Sequence, residues 1–440
     1  MFRLALVLFG SDALIQRWRL FFVVGLLAFG AGWVLLVDLI DGVADIAIGV
    51  LGGLLLLQGL FEMLLGAVQT GLSRRLQLLR ATAMLLGAGL VLDFPWDNTM
   101  AAGVLFGSTF LFNGLVRMGG AWLIRFPGWR QSSFLGLAYL VMAGLMLTSW
   151  PLPDAMNVSF CVGLALAAVG GVLMRGALRL KRLPPGTRLA ALVLYSTPPP
   201  ATPRQPATQA DMGRRQPLVV HVWTAVDAAP DRIRLPVIER YIVAVTRQGR
   251  ATSGHAALSC GPGLYISHHP NERLRIDAQN VLQQARAVEK NNRPGRWGSA
   301  YSQEAQASQP SSVKLRFHTY NAGQLDAFWR SYREDATYNF THRNCSTVVV
   351  LALDAALEGV FAGRPFWRTM LRLMVHPDMW LAGSVRVRAE SLAWSPGFVL
   401  DYARALRRIT TPQRARGARR LRRLRWWQTR RSRRPVNAPL

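Results

Sequence analysis

Six long apolar segments, separated by loops that alternate in charge, fill the first 175 residues of the chain. A helix needs about 20 apolar residues to cross a bilayer, and most of these segments approach that length. The pattern predicts an all-α, six-helix transmembrane bundle within residues 1–182. The six segments are 20–37, 44–66, 81–92, 100–116, 133–147 and 157–174.

The basic residues of this half lie in alternate loops only. Fourteen Lys and Arg residues lie before the first segment or after the second, fourth and sixth, whereas the other three loops carry Asp and no basic residue. Cytoplasmic loops of membrane proteins are enriched in Lys and Arg. We therefore expect a multi-pass protein of a bacterial inner (plasma) membrane, with both termini cytoplasmic and the lipid bilayer as partner. The sequence leaves open whether the chain forms a homo-oligomer.

A short apolar stretch, residues 4–10, precedes the first segment. Arg17, Trp18 and Arg19 follow it, in place of the small-residue cleavage site of a signal peptide. We expect this stretch to form a helix at the membrane interface rather than a removed signal peptide.

Glycines recur in this half at a nearly constant spacing of 55 to 57 residues. Such a period predicts three helical hairpins of common origin, and small residues let membrane helices approach closely. With the Arg-Trp-Arg entry at 17–19, residues 15–180 resemble the HdeD family of small bacterial membrane proteins. The resemblance implies a link to acid-stress tolerance and brings no catalytic motif. The glycines expected in helix contacts are Gly30, Gly87 and Gly144, and Gly59, Gly114 and Gly170.

The remainder of the chain divides by composition into three parts. Residues 183–217 are Pro-rich and predict an extended linker. Residues 218–400 mix strand and helix patterns and predict an α+β soluble domain, and residues 401–440 form an Arg-rich tail. The chain is therefore expected to be multi-domain. In the soluble domain the predicted strands are 218–226, 241–246, 256–259, 263–267 and 313–320, the predicted helices are 278–289, 325–333 and 346–357, and residues 291–311 are a predicted loop.

Cys345 is the strongest candidate for a catalytic residue. It opens the predicted helix 346–357, where unpaired N–H groups and the helix dipole favour a thiolate and lower the thiol pKa. A nucleophilic thiol needs a base within hydrogen-bond reach, and His255, after a glycine at the start of a strand, is the candidate. A third polar group should orient the imidazole. His268 and His269 are both candidates for that role.

This order of residues resembles the papain-like thiol enzymes of the NlpC type in their circularly permuted arrangement, which lecithin:retinol acyltransferase-like proteins share. The resemblance covers about residues 238–360 and rests on the Gly-His strand and on Asn344-Cys345 at a helix start. This chain departs from the family in its two adjacent histidines and in a long insertion between Glu289 and Val313.

The resemblance implies a papain-like fold and a reaction. Cys345 would attack an ester or amide and form a thioester, which is then hydrolysed or transferred to an acceptor. Lipid or lipid-linked molecules are the candidate substrates. His255 would be the base, and His268 or His269 the third member. Asn344 and Ser346 would support the nucleophile motif and the oxyanion.

A zinc site is the competing chemistry at these residues. Its ligands would be Cys260, His255, His268 and His269, but their spacing matches none of the common structural zinc patterns. We therefore predict no metal and no cofactor. The alternative to an enzyme is a non-catalytic, HdeD-like membrane stress-response protein with a soluble interaction domain.

The tail carries half of the net charge of +28, because fourteen arginines and no acid lie between Arg404 and Arg434. Leu and Trp recur among them at helical spacing, which predicts an amphipathic helix with a basic face. Anionic lipid headgroups are its predicted partner. Nucleic acid is disfavoured, because no nucleic-acid recognition fold accompanies the tail. The predicted membrane-surface residues are Arg419, Arg420, Arg422, Arg423, Trp426 and Trp427.

Overall fold

A computed structural model gives the fold of most of the chain. The linker from residue 184 to 215 and the tail from residue 412 lie outside the described residues, so the predictions for them, including the six membrane-surface residues, stay predictions. Most of the predicted span 44–66 also lies outside them. The described residues are 2–41, 52–53, 55–60, 62–63, 72–92, 99–148, 150, 154–183, 216–224, 241, 244–245, 251–252, 254–261, 263–272, 281–391 and 393–411.

The first half of the chain is mostly helical. Within the described residues, three helices are long and apolar enough to cross a membrane: Trp18–Val37, Trp129–Thr148 and Ser159–Arg182. Large apolar side chains on them face outward, as Leu27 and Phe134 do with 68% and 72% exposure. These outward apolar faces indicate that the protein associates with a membrane, and the six-helix bundle stays a prediction. The helices of this half are α1 (Phe2–Phe9), α2 (Ser11–Ile15), α3 (Trp18–Asp41), α4 (Leu72–Val91), α5 (Thr99–Ile124), α6 (Trp129–Thr148) and α7 (Asp154–Arg182).

Only one of the two predicted sets of glycines lies in helix contacts. Helix α3 packs along α7, and α5 packs along α6. A Cβ at Gly170 would clash with the backbone nitrogen of Phe29, and one at Gly114 would lie 2.7 Å from Leu140. The other prediction is wrong for the part of the chain that the structure describes, because a Cβ at these positions would meet nothing there within 4 Å: Gly30, Gly87 and Gly144.

Helix α1 belongs to the core of the second half of the chain, so the prediction of a helix at the membrane interface is wrong. Leu4, Leu8 and Phe9 are at most 2% exposed and join that core. The carbonyl of Leu8 accepts a hydrogen bond of 2.8 Å from the N–H of Phe361. The physical reason is that α1 is apolar on nearly every side, and a helix of this kind has no polar face to turn toward headgroups and water.

The second half is α+β. Its strands are β1 (Leu218–Trp223), β2 (Ala244–Val245), β3 (Ala251–Thr252), β4 (His255–Cys260), β5 (Leu264–Ile266), β6 (His268–Pro270), β7 (Gly295–Trp297) and β8 (Val313–Phe317). Its helices are α8 (Val281–Gln284), α9 (Tyr301–Ala307), α10 (Ala322–Tyr332), α11 (Cys345–Leu357), α12 (Phe366–Val375), α13 (Pro377–Ser391) and α14 (Pro396–Thr410).

A four-stranded antiparallel sheet with the order β5-β4-β1-β8 forms the centre of this half. The predicted hairpin of β4 and β5 is present, with Cys260 opposite Leu264. Helix α11 packs against β4, and Val349 in α11 and Leu258 in β4 are both fully buried. The helix that begins at Cys345 and the strand that begins at His255 are therefore neighbours in the fold. A papain-like chain fold stays a prediction.

Two local predictions are wrong. The predicted loop 291–311 contains β7 and α9. In the described part of the predicted helix 278–289, residues 281–289, the α-helix is limited to α8, and a 3₁₀ turn follows at Glu289–Asn291. Helix α9 is polar along most of its length, and it docks through Tyr301, whose ring stacks on His221 at 4.1 Å. Because that contact is distant in sequence, local composition did not reveal the helix.

Candidate functional site

The backbone places His255 at the first position of strand β4. Gly254 has a φ of 73°, in the left-handed region that favours glycine. The next residue, His255, is the first of β4 and lies opposite Trp223 of β1, with 5.4 Å between the ring centroids. The Gly-His pair of the sequence thus has a structural reason, which is a sharp entry into the strand.

His255 and three neighbouring side chains form a hydrogen-bonded group, here called the histidine–glutamate cluster: His255, Ser267, His269 and Glu304. Ser267 Oγ lies 2.8 Å from Nε2 of His255 and 3.0 Å from Nε2 of His269. Glu304 Oε1 lies 2.7 Å from Nε2 of His269, and Oε2 lies 3.6 Å from Nε2 of His255. The hydroxyl of Tyr265 donates to Glu304 over 2.7 Å. Elements β4, β6 and α9 therefore meet in one polar network.

The cluster contains a neutral imidazole beside a carboxylate at neutral pH. Burial, with His269 next to it, lowers the pKa of His255 to about 3, although Glu304 opposes the change. Burial raises the pKa of Glu304, but the hydrogen bond from His269, the neighbouring His255 and the hydroxyls of Ser267 and Tyr265 outweigh it and lower the value to about 2.

The hydrogen bonds determine which edge of His255 is free to react. A carboxylate only accepts hydrogen bonds, so Nε2–H of His269 donates to Glu304. Nε2 of His255 is engaged by Ser267 and faces Glu304. A proton that this imidazole takes from a nucleophile would therefore have to arrive at Nδ1.

A cavity of about 510 Å³ opens beside the cluster. Its lining includes His255, His269 and Glu304, with the indoles of Trp223 and Trp297 as apolar walls. A volume of this size suits a small ligand or one end of a larger one. Among the described residues, the lining does not include Cys345.

Cys345 is the first residue of α11, as the sequence predicted. The side chain of Asn344 caps the helix by accepting a 2.8 Å hydrogen bond from the N–H of Thr347. Its amide group donates to the carbonyls of Phe340 and Trp394 over 2.7 and 2.9 Å. The polar atoms of Asn344 are thus occupied in holding the helix start, and they do not face a substrate.

The thiol of Cys345 is buried and protonated, with 9% of the residue exposed. Burial raises its pKa above the usual 9.0, although hydrogen bonds from Ser346 and from the backbone N–H of Ala256 act in the opposite direction. The hydroxyl of Ser346 lies 3.9 Å from the sulfur. The predicted lowering of the thiol pKa is therefore wrong for this state, because loss of solvation outweighs the donors at the helix start.

The structure separates the two histidines that the sequence left as alternatives. The ring of His269 stacks on that of His255 with 4.3 Å between centroids. The ring of His268 instead stacks on Trp297 at 4.2 Å, and its Nε2 lies 3.1 Å from the carbonyl oxygen of Ala336. His269 is therefore the histidine that adjoins the base candidate.

Cys260 lies apart from the cluster. Its sulfur is 2.9 Å from the hydroxyl of Tyr320, at the far end of β4 from His255. The zinc ligand set considered from the sequence, which needed Cys260, is therefore not assembled in the described residues.

A different ligand set lies in the cluster. His255, His269 and Glu304 each offer one ligand atom, and these atoms lie within 4.8 Å of one another. The donor types suit zinc. However, the Ser267 hydroxyl lies between the two Nε2 atoms, and Nε2–H of His269 donates to Glu304, so the atoms that would bind a metal are already hydrogen-bonded to one another. The geometry favours a hydrogen-bonded network over a metal centre.

Sequence reasoning missed Glu304 and Ser267. Glu304 is the only acidic residue between Glu289 and Asp326. A lone carboxylate in a basic and polar stretch is the signal that could have indicated it. Ser267 is fully buried between two histidines, and its role depends on the hairpin that returns the chain beside β4.

Comparisons of the chain with protein-family models, with curated proteins and with solved structures find no match.

Proposed function

We propose that the chain is a membrane-anchored cysteine hydrolase or acyltransferase that acts on an ester or amide through a thioester. One observation carries the proposal. Helix α11, which begins at Cys345, packs against β4, which begins at His255, and the backbone N–H of the next residue, Ala256, acts to lower the pKa of the Cys345 thiol. The candidate nucleophile and the candidate base thus lie on adjoining elements, and the base candidate also lines the cavity.

The reaction begins from a neutral thiol and a neutral imidazole. As the sulfur of Cys345 bonds to the carbonyl carbon, its proton moves to Nδ1 of His255. N–H groups at the start of α11 are suited to hold the oxyanion. The C–O or C–N bond then breaks, and Nδ1 returns the proton to the leaving group. Water or another acceptor attacks the thioester, and its proton returns by way of His255 to the released sulfur.

The rest of the cluster positions the base. Ser267 and Glu304 hold the Nε2 edge of His255, which leaves Nδ1 for the nucleophile. Glu304 also stabilises the imidazolium that forms in the transition state, as an acidic third member does. In this proposal the third-member role expected of His268 or His269 belongs to Ser267 and Glu304, with His269 as a neighbour that fixes the carboxylate.

We further propose the six-span, inner-membrane arrangement with both termini cytoplasmic. Two contacts support it. The core of the second half includes α1, which precedes the span Trp18–Val37, and the N–H of Ala287 donates to the carbonyl of Ile124 over 2.7 Å. Both contacts lie at the helix ends that carry the basic loops, which the positive-inside rule assigns to the cytoplasm. Lipid or lipid-linked substrates and anionic headgroups would be near at hand.

An acylating β-lactone probe with the full chain in detergent tests the enzyme proposal. We expect labelling of the wild-type protein, loss of labelling in Cys345→Ala and a drop of about 100-fold or more in His255→Ala, because general-base catalysis contributes that much. Cys260→Ser is the matched control and should label normally. Equal labelling of the wild type and Cys345→Ala would reject the proposal.

A non-catalytic, HdeD-like stress-response protein is the second candidate. It is favoured by the burial of Cys345, which is not among the described residues that line the cavity. Complementation of a deletion strain separates the two. Full rescue by Cys345→Ser favours the non-catalytic function, whereas loss of rescue with normal protein levels favours the enzyme.

A further inference from the structure

Helix α12 has an apolar stripe on its outer side as well as on its inner side. Phe366, Met370 and Leu373 face the core and are at most 6% exposed. Trp367 and Leu371 lie one turn apart on the flank of the helix, about 100° around the axis from the core-facing residues. They are 59% and 65% exposed, and one further turn continues the stripe with Met374 at 41%. Exposed large apolar residues at helical spacing form a contiguous patch, which indicates a binding surface.

The helix lies beside the start of a candidate membrane span. The ring of Phe366 lies 4.7 Å from that of Phe9 and 6.3 Å from that of Phe21, which is in the span Trp18–Val37. The guanidinium of Arg17 lies over the same Phe366 ring at 4.8 Å. Helix α12 therefore lies at the same depth along the span axis as the first turns of that span. This depth is called the level of the span start below.

Aromatic and basic side chains mark this level on neighbouring helices as well. Lys181 lies over the ring of Trp18 at 4.9 Å, and Arg130 lies over the ring of Trp129 at 5.7 Å. Trp beside Lys or Arg at the ends of apolar helices is typical of the boundary between bilayer and water. The exposed indole of Trp367 lies edge-on to the ring of Phe366, with 5.4 Å between centroids, and Phe366 in turn contacts Phe21 of the span.

The charge of α12 suits an anionic surface. Arg368 and Arg372 are exposed next to the apolar stripe, and Arg364 precedes the helix. Residues 359–377 contain no Asp or Glu. A helix with apolar residues on one exposed strip and arginines beside it is typical of helices that lie in the headgroup region.

We propose that α12 lies in the membrane interface, with Trp367, Leu371 and Met374 inserted at the headgroup–acyl boundary and Arg368 and Arg372 bound to anionic lipid phosphates. The bilayer, rather than a protein, is the occupant because the patch continues the level at which a membrane span begins. The proposal does not depend on the reactivity of Cys345.

Spin-label accessibility in lipid nanodiscs tests this placement. The label is attached to Leu371→Cys in a Cys260→Ser, Cys345→Ser background, where the remaining native cysteine, Cys161, is buried. The matched control carries the label at Arg316→Cys, an exposed position on β8. Oxygen, which concentrates in lipid, and a water-soluble nickel chelate serve as the relaxing agents.

We expect the label at position 371 to be relaxed more by oxygen and at least about 3-fold less by nickel than the label at position 316, as apolar insertion requires. Equal nickel access at the two positions would overturn the proposal. Protection from both agents would also overturn it, because it would mean that a second copy or another protein covers the stripe.

The binding of Arg368 and Arg372 to anionic lipid phosphates is tested separately. Discs with anionic phosphatidylglycerol should increase the oxygen-to-nickel ratio at position 371 relative to discs of phosphatidylcholine alone. Arg368→Gln with Arg372→Gln should remove that dependence on lipid charge. A ratio that is the same in both kinds of disc, or a dependence that survives in the double variant, would show that the arginines do not bind headgroups.

Discussion

Cys345 should react as a protonated thiol at pH 7, and its alkylation by iodoacetamide should speed up about tenfold per pH unit until about pH 9, because the thiolate is the reactive form. The perturbation is pH itself, applied to the full-length protein in detergent. A thiol already ionised by a neighbouring imidazole would react at a nearly constant rate over the same range.

Two pKa shifts decide which form the thiol takes at rest. Burial raises the pKa of Cys345, and burial lowers the pKa of His255 to about 3. The thiol therefore holds its proton more tightly than the imidazole does, and an imidazolium–thiolate pair is disfavoured in the resting state.

Pulse alkylation from about pH 6 to about pH 9.5, read by mass spectrometry of the Cys345 peptide, measures the profile. His255→Asn should change the rate of this simple alkylation by less than about twofold, since the imidazole does not hold the thiol proton at rest. Glu272→Gln, at an exposed site, is the control for a changed surface charge. A plateau below pH 7 that disappears in His255→Asn would refute the reasoning.

Three further predictions concern stability. Burial lowers the pKa values of His221 and His268 from 6.5 to about 4. The unfolded state therefore binds protons first as pH falls below 6.5, and the free energy of unfolding should decrease by about 3 kcal/mol per histidine before levelling off near pH 4; urea titrations between these pH values measure it, and a flat profile would contradict it. Asp354→Asn should lower the free energy of unfolding by about 3–5 kcal/mol, because Asp354 forms a buried ion pair with Arg386. Substitutions at exposed positions should lower it by less than about 0.5 kcal/mol, and a loss as small as that for Asp354→Asn would contradict the pairing. Gly170→Ala should lower the melting temperature in detergent, whereas Gly144→Ala, with open space at its Cβ position, should not; equal melting temperatures would contradict the close packing of α3 on α7.

Local signals in the sequence predicted the parts of the site that depend on neighbours in the chain. The strand after Gly254, the hairpin that follows it and the helix that opens at Cys345 all appear where the sequence placed them. Each depends on residues within one turn or one hairpin: a glycine with positive φ, a short turn or an Asn cap.

The features that the sequence did not reveal depend on contacts between segments that are distant in the chain. Helix α9 owes its position to Tyr301 and Glu304, whose partners lie in β1, β5 and β6. The burial of α1 depends on residues near Phe361, far along the chain. The thiol pKa was predicted in the wrong direction because helix-end donors are a local property, whereas burial depends on the whole fold.

Detection of the acyl-enzyme tests the central claim most directly. The full-length protein is mixed with a p-nitrophenyl ester, quenched in acid and mapped by mass spectrometry. We predict an acyl group on Cys345 that forms quickly in the wild type, forms at least about 100-fold more slowly in His255→Ala and is absent in Cys345→Ser. Ester turnover without an adduct on Cys345, or an adduct that forms at the same rate without the imidazole, would contradict the account.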